Sequence, residues 1–271
     1  MSEAGAIKRS DHGPVTVSSL VRDLRALGLE TGMTVLVHSS LSSLGWVCGG
    51  PVAVVQALEE VLGPAGTLVM PTHSTDLSDP EPWHHPSVPP SWWEVIRHET
   101  PAYDPELTPT RRMGVIVECF RGQAGVRRSA HPQVSFAAWG ARAAGIVEGH
   151  SLAFGLGEES PLARLYDVGA WVLLLGVGHA NNTSLHLAEY RADYPAKAFT
   201  TSYAPVMESG TRRWVAFRDI ETSTDDFVAI GDAFEETGTA RTGAVGYATA
   251  RLMPQPALVD FAVEWMSRNR E

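Results

Sequence analysis

Two apolar runs separated by one helical stretch restrict the architecture of this chain more than any other feature. Thr34-Val35-Leu36-Val37-His38 is apolar without alternation, as a strand buried on both faces must be. A polar loop over residues 39–50 follows, then a helical stretch over 51–62 that has proline in its first turn and is stopped by Gly63-Pro64. The next run, Thr67-Leu68-Val69-Met70-Pro71, is apolar again. Strand, helix and strand in that order predict a right-handed crossover and parallel pairing. Ahead of them, Leu20, Val21, Leu24 and Leu27 fall at helical spacing, so a helix over 17–27 leads into the first strand. The expected fold class is α/β, with a largely parallel central sheet flanked by helices.

A chain of 271 residues, 44% of them hydrophobic, can bury one large core, so a single domain over 16–271 is expected. Residues 1–15 mix Lys8, Arg9 and Asp11 with Pro14 and read as a flexible N-terminus. Between 74 and 110 the chain turns rich in proline, acids and tryptophan (Trp83, Trp92, Trp93). A long irregular insertion of that kind reads as a lid-like lobe, with a short helix over 92–98 whose Ser91 and Glu94 make a capping box. Helices over 112–120 and 140–147 around a strand at 135–139, a helix capped by Ser160, a hairpin turning at Ser209-Gly210, a helix over 225–236 and a terminal amphipathic helix complete the expected order.

The net charge of -10 argues against nucleic acid as a partner and favours a cationic small molecule. Cys48 and Cys119 are too few for a disulfide framework, which suits a reducing cytoplasm, and no run approaches the roughly 18 apolar residues of a membrane span. A homo-oligomer is compatible with this composition. Neither the phosphate-binding G-x-x-x-x-G-K-[ST] nor the dinucleotide G-x-G-x-x-G is present, and the nucleophile elbow G-x-S-x-G is absent too. His84 and His85 are adjacent rather than a helical turn apart, so no metal is expected.

Three places remain for chemistry. The loop His38-Ser39-Ser40-Leu41-Ser42-Ser43-Leu44-Gly45, followed by Gly49-Gly50 and a helix, offers backbone N–H groups and hydroxyls to an anion or a thioester oxygen, or is a plain polar turn. Arg127-Arg128-Ser129-Ala130-His131-Pro132 reads as a phosphate clamp or a solvated turn. His186 stands one residue into an apolar helical stretch that follows the buried-strand run Trp171-Val172-Leu173-Leu174-Leu175-Gly176-Val177-Gly178, with Ser184 placed to cap that helix. Ligands collect at the carboxyl ends of such strands, so this imidazole is either a base or a core histidine satisfied by a carbonyl.

Together these stretches resemble the aminoglycoside 3-N-acetyltransferase family, whose antibiotic N-acetyltransferase fold is distinct from the GNAT fold. The resemblance is carried by residues 37–45, by Gly63-Pro64-Ala65-Gly66-Thr67-Leu68-Val69-Met70-Pro71, by Arg128-Ser129-Ala130-His131-Pro132, by Gly157-Glu158-Glu159-Ser160-Pro161, and by Leu173 to Gly178 with Leu185-His186-Leu187-Ala188-Glu189. The Trp-Pro insertion resembles that of a Gram-positive subgroup. The resemblance implies transfer of acetyl from acetyl-CoA to the 3-amino group of a 2-deoxystreptamine aminoglycoside. It implies CoA along His38 to Gly45 and beside Met113, Gly114, Arg128 and Ser129, with His186 as base. Glu189 is the acid nearest to His186 in sequence, while the family implies one from the later region, Asp226 or Glu235. Asp76, Trp83, Trp92 and Asn182 are the expected acceptor contacts. Other acceptors in families of this fold include phosphonate antibiotic intermediates, and a non-catalytic CoA-binding relative is the alternative from another class.

Overall fold

The computed structural model of the protein describes residues 3–271. Helices α1 (Glu3–Arg9) and α2 (Val17–Leu27) precede strand β1 (Thr34–Ser39). Thr16 and Ser19 cap α2 reciprocally, each hydroxyl accepting the other's backbone N–H, and left-handed Gly28 ends it. Helix α3 (Gly50–Leu62) then leads to β2 (Thr67–Pro71), and β1 pairs with β2 in parallel, Leu36 opposite Val69. The crossover unit expected from the two apolar runs is therefore present.

The chain continues through α4 (Trp93–Glu99), α5 (Val115–Arg121), β3 (Arg127–Arg128), β4 (Phe136–Gly140), α6 (Ala143–Val147), α7 (Pro161–Asp167) and β5 (Trp171–Leu175). Then come α8 (Ser184–Arg191), the paired strands β6 (Phe199–Glu208) and β7 (Thr211–Ile220), α9 (Phe227–Glu236), β8 (Arg241–Val245), β9 (Ala248–Pro254) and α10 (Gln255–Asn269). The main sheet runs β3-β4-β2-β1-β5-β9-β8. Its centre, β2-β1-β5, is parallel, whereas β3, β4, β9 and β8 pair antiparallel. The sheet is thus mixed, and the parallel expectation holds only for its centre. At the β8 flank the reason is local: Gly246-Tyr247 joins β8 to β9, and so short a turn permits only an antiparallel partner.

Alternation along the strands sorts their side chains onto two faces. Val35, Val37, Leu68, Met70, Leu173 and Leu175 join α2, α3 and α5 in one core, while Leu36, Val69, Val172 and Leu174 join the helices of the other side. Helices on both faces make the sheet the middle of three layers.

Three local expectations are corrected. Residues 3–15 are not a free arm: Ala6 is buried, Ser10 Oγ accepts from Trp46 N, and the Tyr247 hydroxyl accepts from His12 N and donates to the Gly13 carbonyl. Positions 1 and 2 lie outside the described residues. No capping box forms at Ser91 and Glu94, because a tight turn over Pro90–Trp92 precedes α4 and Glu94 pairs with Arg97 instead. The 74–110 segment is pinned to the β6–β7 hairpin: Tyr103 N donates to Pro205 O, and Arg212 donates to the carbonyls of Thr100 and Arg97. Among the described residues no helix is long and apolar enough to cross a membrane.

Candidate active site

The parallel strands β1, β2 and β5 end at one edge of the sheet, and each end carries a histidine. His38 lies at the end of β1, His73 just beyond β2, and His179 and His186 after β5. A pocket of about 560 Å³ opens at this edge. Residues 37–42, Gly45, Gly50, residues 112–117, Asn181 and Thr183 line it, with Ala6 of α1 on its rim. His38, Ser39, Ser40, Leu41, Ser42, Gly45, Met113 and Gly114 are thus in its wall.

Four of the implied CoA contacts are elsewhere. Ser43 turns its hydroxyl to Ser40 Oγ, and Leu44 is fully buried in the core. The Arg128 guanidinium is spent inside the protein, on the Thr72 and Ser135 hydroxyls and on the carbonyls of Thr72, Pro105 and Thr108. Ser129 is buried, accepting from Phe136 N and donating to His150 Nδ1. These two residues build the wall behind the site rather than a phosphate clamp.

His186 sits on the first turn of α8, and its Nδ1 donates to Glu189 Oε2 at 2.5 Å. Glu189 is fully buried, and its second oxygen accepts from Arg270 Nη1 (2.7 Å) and Ser223 N (2.9 Å). Phe227 meets the imidazole edge to face, with ring centroids 4.9 Å apart. With Nδ1 anchored, Nε2 is the nitrogen left for chemistry, and it has no hydrogen-bond partner among the described residues. Of the three candidate acids, Glu189 is therefore the one that orients His186. Asp226 lies one step further, binding Arg270 through both oxygens at 2.6 and 2.7 Å. Glu235 serves a different histidine: it accepts from His179 Nε2 at 2.8 Å and from Arg251 Nε at 2.6 Å.

Ser184 is the first residue of α8 and its hydroxyl is unpartnered among the described residues, so the expected cap is absent. Asn182 takes that place, its Oδ1 accepting from Ser184 N at 3.3 Å. Being fully buried and outside the pocket lining, Asn182 supports the helix start rather than an acceptor. Asp76, Trp83 and Trp92 are likewise outside the lining: Asp76 and Trp92 are exposed, and Trp83 Nε1 donates to Ser78 Oγ.

Burial, and then the nearby His186, hold the His38 imidazole down at about 3, and the same two causes lead for His73, which lies well below its ordinary range. Behind them, burial puts His131 at about 4 and His150 at about 3. His131 Nδ1 accepts from Gln133 N and Val134 N, so its Nε2 donates to Leu152 O; His150 donates to Gly155 O. Among the described residues no group of three His, Cys, Asp or Glu side chains could hold a metal ion.

Arg270, Ser223 and His73 are site residues that the sequence reading did not pick out. His73 alone had a signal, its position at a strand's carboxyl end. Arg270 reaches Glu189 across 81 residues, which no local pattern reports.

An anchored histidine beside a pocket at the strand ends of a three-layer α/β sheet is the arrangement of an enzyme site. The family described as aminoglycoside 3-N-acetyltransferase matches residues 36–267. The SPbeta prophage-derived aminoglycoside N(3')-acetyltransferase-like protein YokD of Bacillus subtilis is 48% identical over 257 residues, 94% of each chain. Its crystal structure superposes with a TM-score of 0.93 over 95% of each chain. Aminoglycoside N(3)-acetyltransferase VII of Streptomyces paromomycinus is 40% identical over 98% of this chain and 96% of its own. AAC-IIIb, solved as a binary complex with CoASH, is 32% identical with a TM-score of 0.86, over 95% of this chain and 98% of that one. The chain belongs to the aminoglycoside 3-N-acetyltransferase family.

Proposed function

We propose that this enzyme transfers acetyl from acetyl-CoA to the 3-amino group of a 2-deoxystreptamine aminoglycoside, with His186 as the base and direct attack of the amine on the thioester. The observation that carries the reading is the chain His186–Glu189–Arg270, set one turn from Thr183 in the pocket wall. An ammonium cannot attack a thioester, so its proton must leave first. His186 Nε2 takes that proton, and Glu189 balances the imidazolium that forms, while Arg270 and Ser223 N keep the carboxylate in place. The amine nitrogen bonds to the carbonyl carbon, the C–S bond breaks, CoA leaves with the sulfur electron pair, and the second proton shed by the acylated nitrogen goes to that thiolate to give CoASH.

The pocket suits an acyl-CoA: it holds about 560 Å³, Val37, Leu41, Met113 and Ile116 line it beside the serines, and its wall carries Ser39, whose hydroxyl has no partner among the described residues. The relative solved with CoASH supports the same donor. A net charge of -10 suits a polycationic acceptor, and a cytoplasmic setting supplies the acetyl-CoA.

A thiol-release assay with acetyl-CoA over a panel of aminoglycosides and small amines tests the reading. His186→Ala should lower kcat by about 10²–10⁴-fold, the usual worth of a positioned base, with CoA affinity little changed. A folded variant with wild-type turnover would remove His186 from the mechanism. Acetylation confined to other amines would overturn the acceptor alone.

A further inference from the structure

His38 is a histidine of the pocket wall with no structural reason for its polarity. It closes β1, is only 5% exposed, and lies in the pocket wall. Its Nε2 is buried with neither a protein partner nor solvent, and no hydrogen bond from Nδ1 is formed among the described residues. A buried imidazole pays for its desolvation only when its nitrogens are paired, as those of His131 and His150 are. Nor does His38 touch a carboxylate, the partner that prepares His186 to receive a proton. The ring stays neutral at working pH, so it is a poor base, yet a neutral imidazole still has one N–H to give. An unspent donor on a side chain that lines the pocket at the strand ends can meet a thioester oxygen bound there.

We infer that His38 is a further catalytic residue of the acyl transfer, its imidazole N–H donating to the thioester carbonyl oxygen as that oxygen gains negative charge. The inference rests on the acetyl-CoA reading above. The two histidines then divide the work: His186 takes the amine's proton, and His38 holds the oxyanion without giving up its own. When the C–S bond breaks, the carbonyl re-forms and the hydrogen bond relaxes, so no net proton passes through His38. Neutral imidazoles serve as electrophiles in this way when their surroundings forbid the charged form.

The donor side can be read without any acceptor. Acetyl-CoA labelled with ¹³C at the acetyl carbonyl should show, bound to the wild-type protein, a carbonyl infrared band shifted to lower frequency than in solution. His38→Leu should return the band to its solution position, and His38→Gln, which keeps an N–H donor, should retain part of the shift. In turnover, His38→Leu should lower kcat by about 10²–10³-fold, as loss of one oxyanion donor does, with the Gln variant in between. Circular dichroism and the melting temperature of each variant serve as the folding control. An equal shift in wild type and His38→Leu overturns the inference, as does a shift abolished by Ser39→Ala but not by His38→Leu. Weaker CoA binding by His38→Leu with unchanged kcat would make His38 a wall residue only. A wild-type protein that binds no acetyl-CoA overturns the donor reading and this inference with it, whereas bound acetyl-CoA with an unshifted band overturns this inference alone.

Discussion

Replacing Arg270 by leucine should cost this protein much of its stability, and the size of the loss follows from what Arg270 touches. Its side chain is 13% exposed and binds Glu189, which is 0% exposed, and Asp226, which is 22% exposed. Once Arg270 is gone, Asp226 can turn to water, but Glu189 cannot. Its carboxylate keeps Ser223 N and His186 as partners and loses its only guanidinium. Breaking a buried pair by deleting one partner costs about 3–5 kcal/mol. Unfolding entropy of roughly 2.1 cal/mol/K per residue amounts to about 0.6 kcal/mol per degree for a chain of this length, so Tm should fall by about 5–9 °C. Differential scanning calorimetry of Arg270→Leu measures this directly. If the stranded charge is the cause, Glu189→Gln placed in the same protein should recover about 1–3 kcal/mol relative to additivity. A Tm within 2 °C of wild type, or a strictly additive double variant, would refute the reasoning.

Two further outcomes are expected. His38, His131 and His150 stay neutral when folded down to about 3, 4 and 3, but titrate near 6.5 when unfolded, so the unfolded chain takes up protons first as pH falls. Their contribution is complete above pH 6.5 and is lost as pH drops toward those folded values, at about 2 kcal/mol per histidine by pH 5. Urea midpoints at pH 7.5 and 5.0 check it, and a flat profile would count against it. Gly231→Ala should lower Tm, because its new Cβ would stand 1.9 Å from Cγ of His179, whose ring is buried and tied to Glu235. Overpacking of that kind costs about 1–3 kcal/mol or more, and an unchanged melting curve would show that His179 can move aside.

What could be seen in the sequence was local. Helix α2 spans the expected 17–27 because its apolar residues keep one face, and the hairpin turns at Ser209-Gly210, both with positive φ, as anticipated. Strands β8 and β9 went unseen because Arg241-Thr-Gly-Ala-Val and Ala248-Thr-Ala-Arg-Leu-Met-Pro hold too few large apolar residues to form a run. Their strand character comes from β9 pairing along β5. At the site, His186 and the serine loop stood out because each follows a strand that is itself visible. Glu189 meets His186 within one helical turn, but tertiary contacts were needed to set Asp226 and Glu235 aside: Arg251 and His179 engage Glu235, and Arg270 engages Asp226. Arg128, prominent as one of an arginine pair, turned inward to satisfy carbonyls that no neighbouring sequence announces.

The separation of 81 positions from Glu189 to Arg270 also sets an order of events when the chain is made. The serine loop, His38 and the helix bearing His186 leave the ribosome well before residue 270 does, and until then Glu189 has no guanidinium to accompany it into the core. Packing α8 fully onto the sheet would strand a charge in an apolar setting, so a growing chain should hold that helix loosely until α10 docks beside it. Catalytic competence is then acquired only once residue 270 has emerged and paired with Glu189. Nascent intermediates that already own most of the pocket would carry no working base.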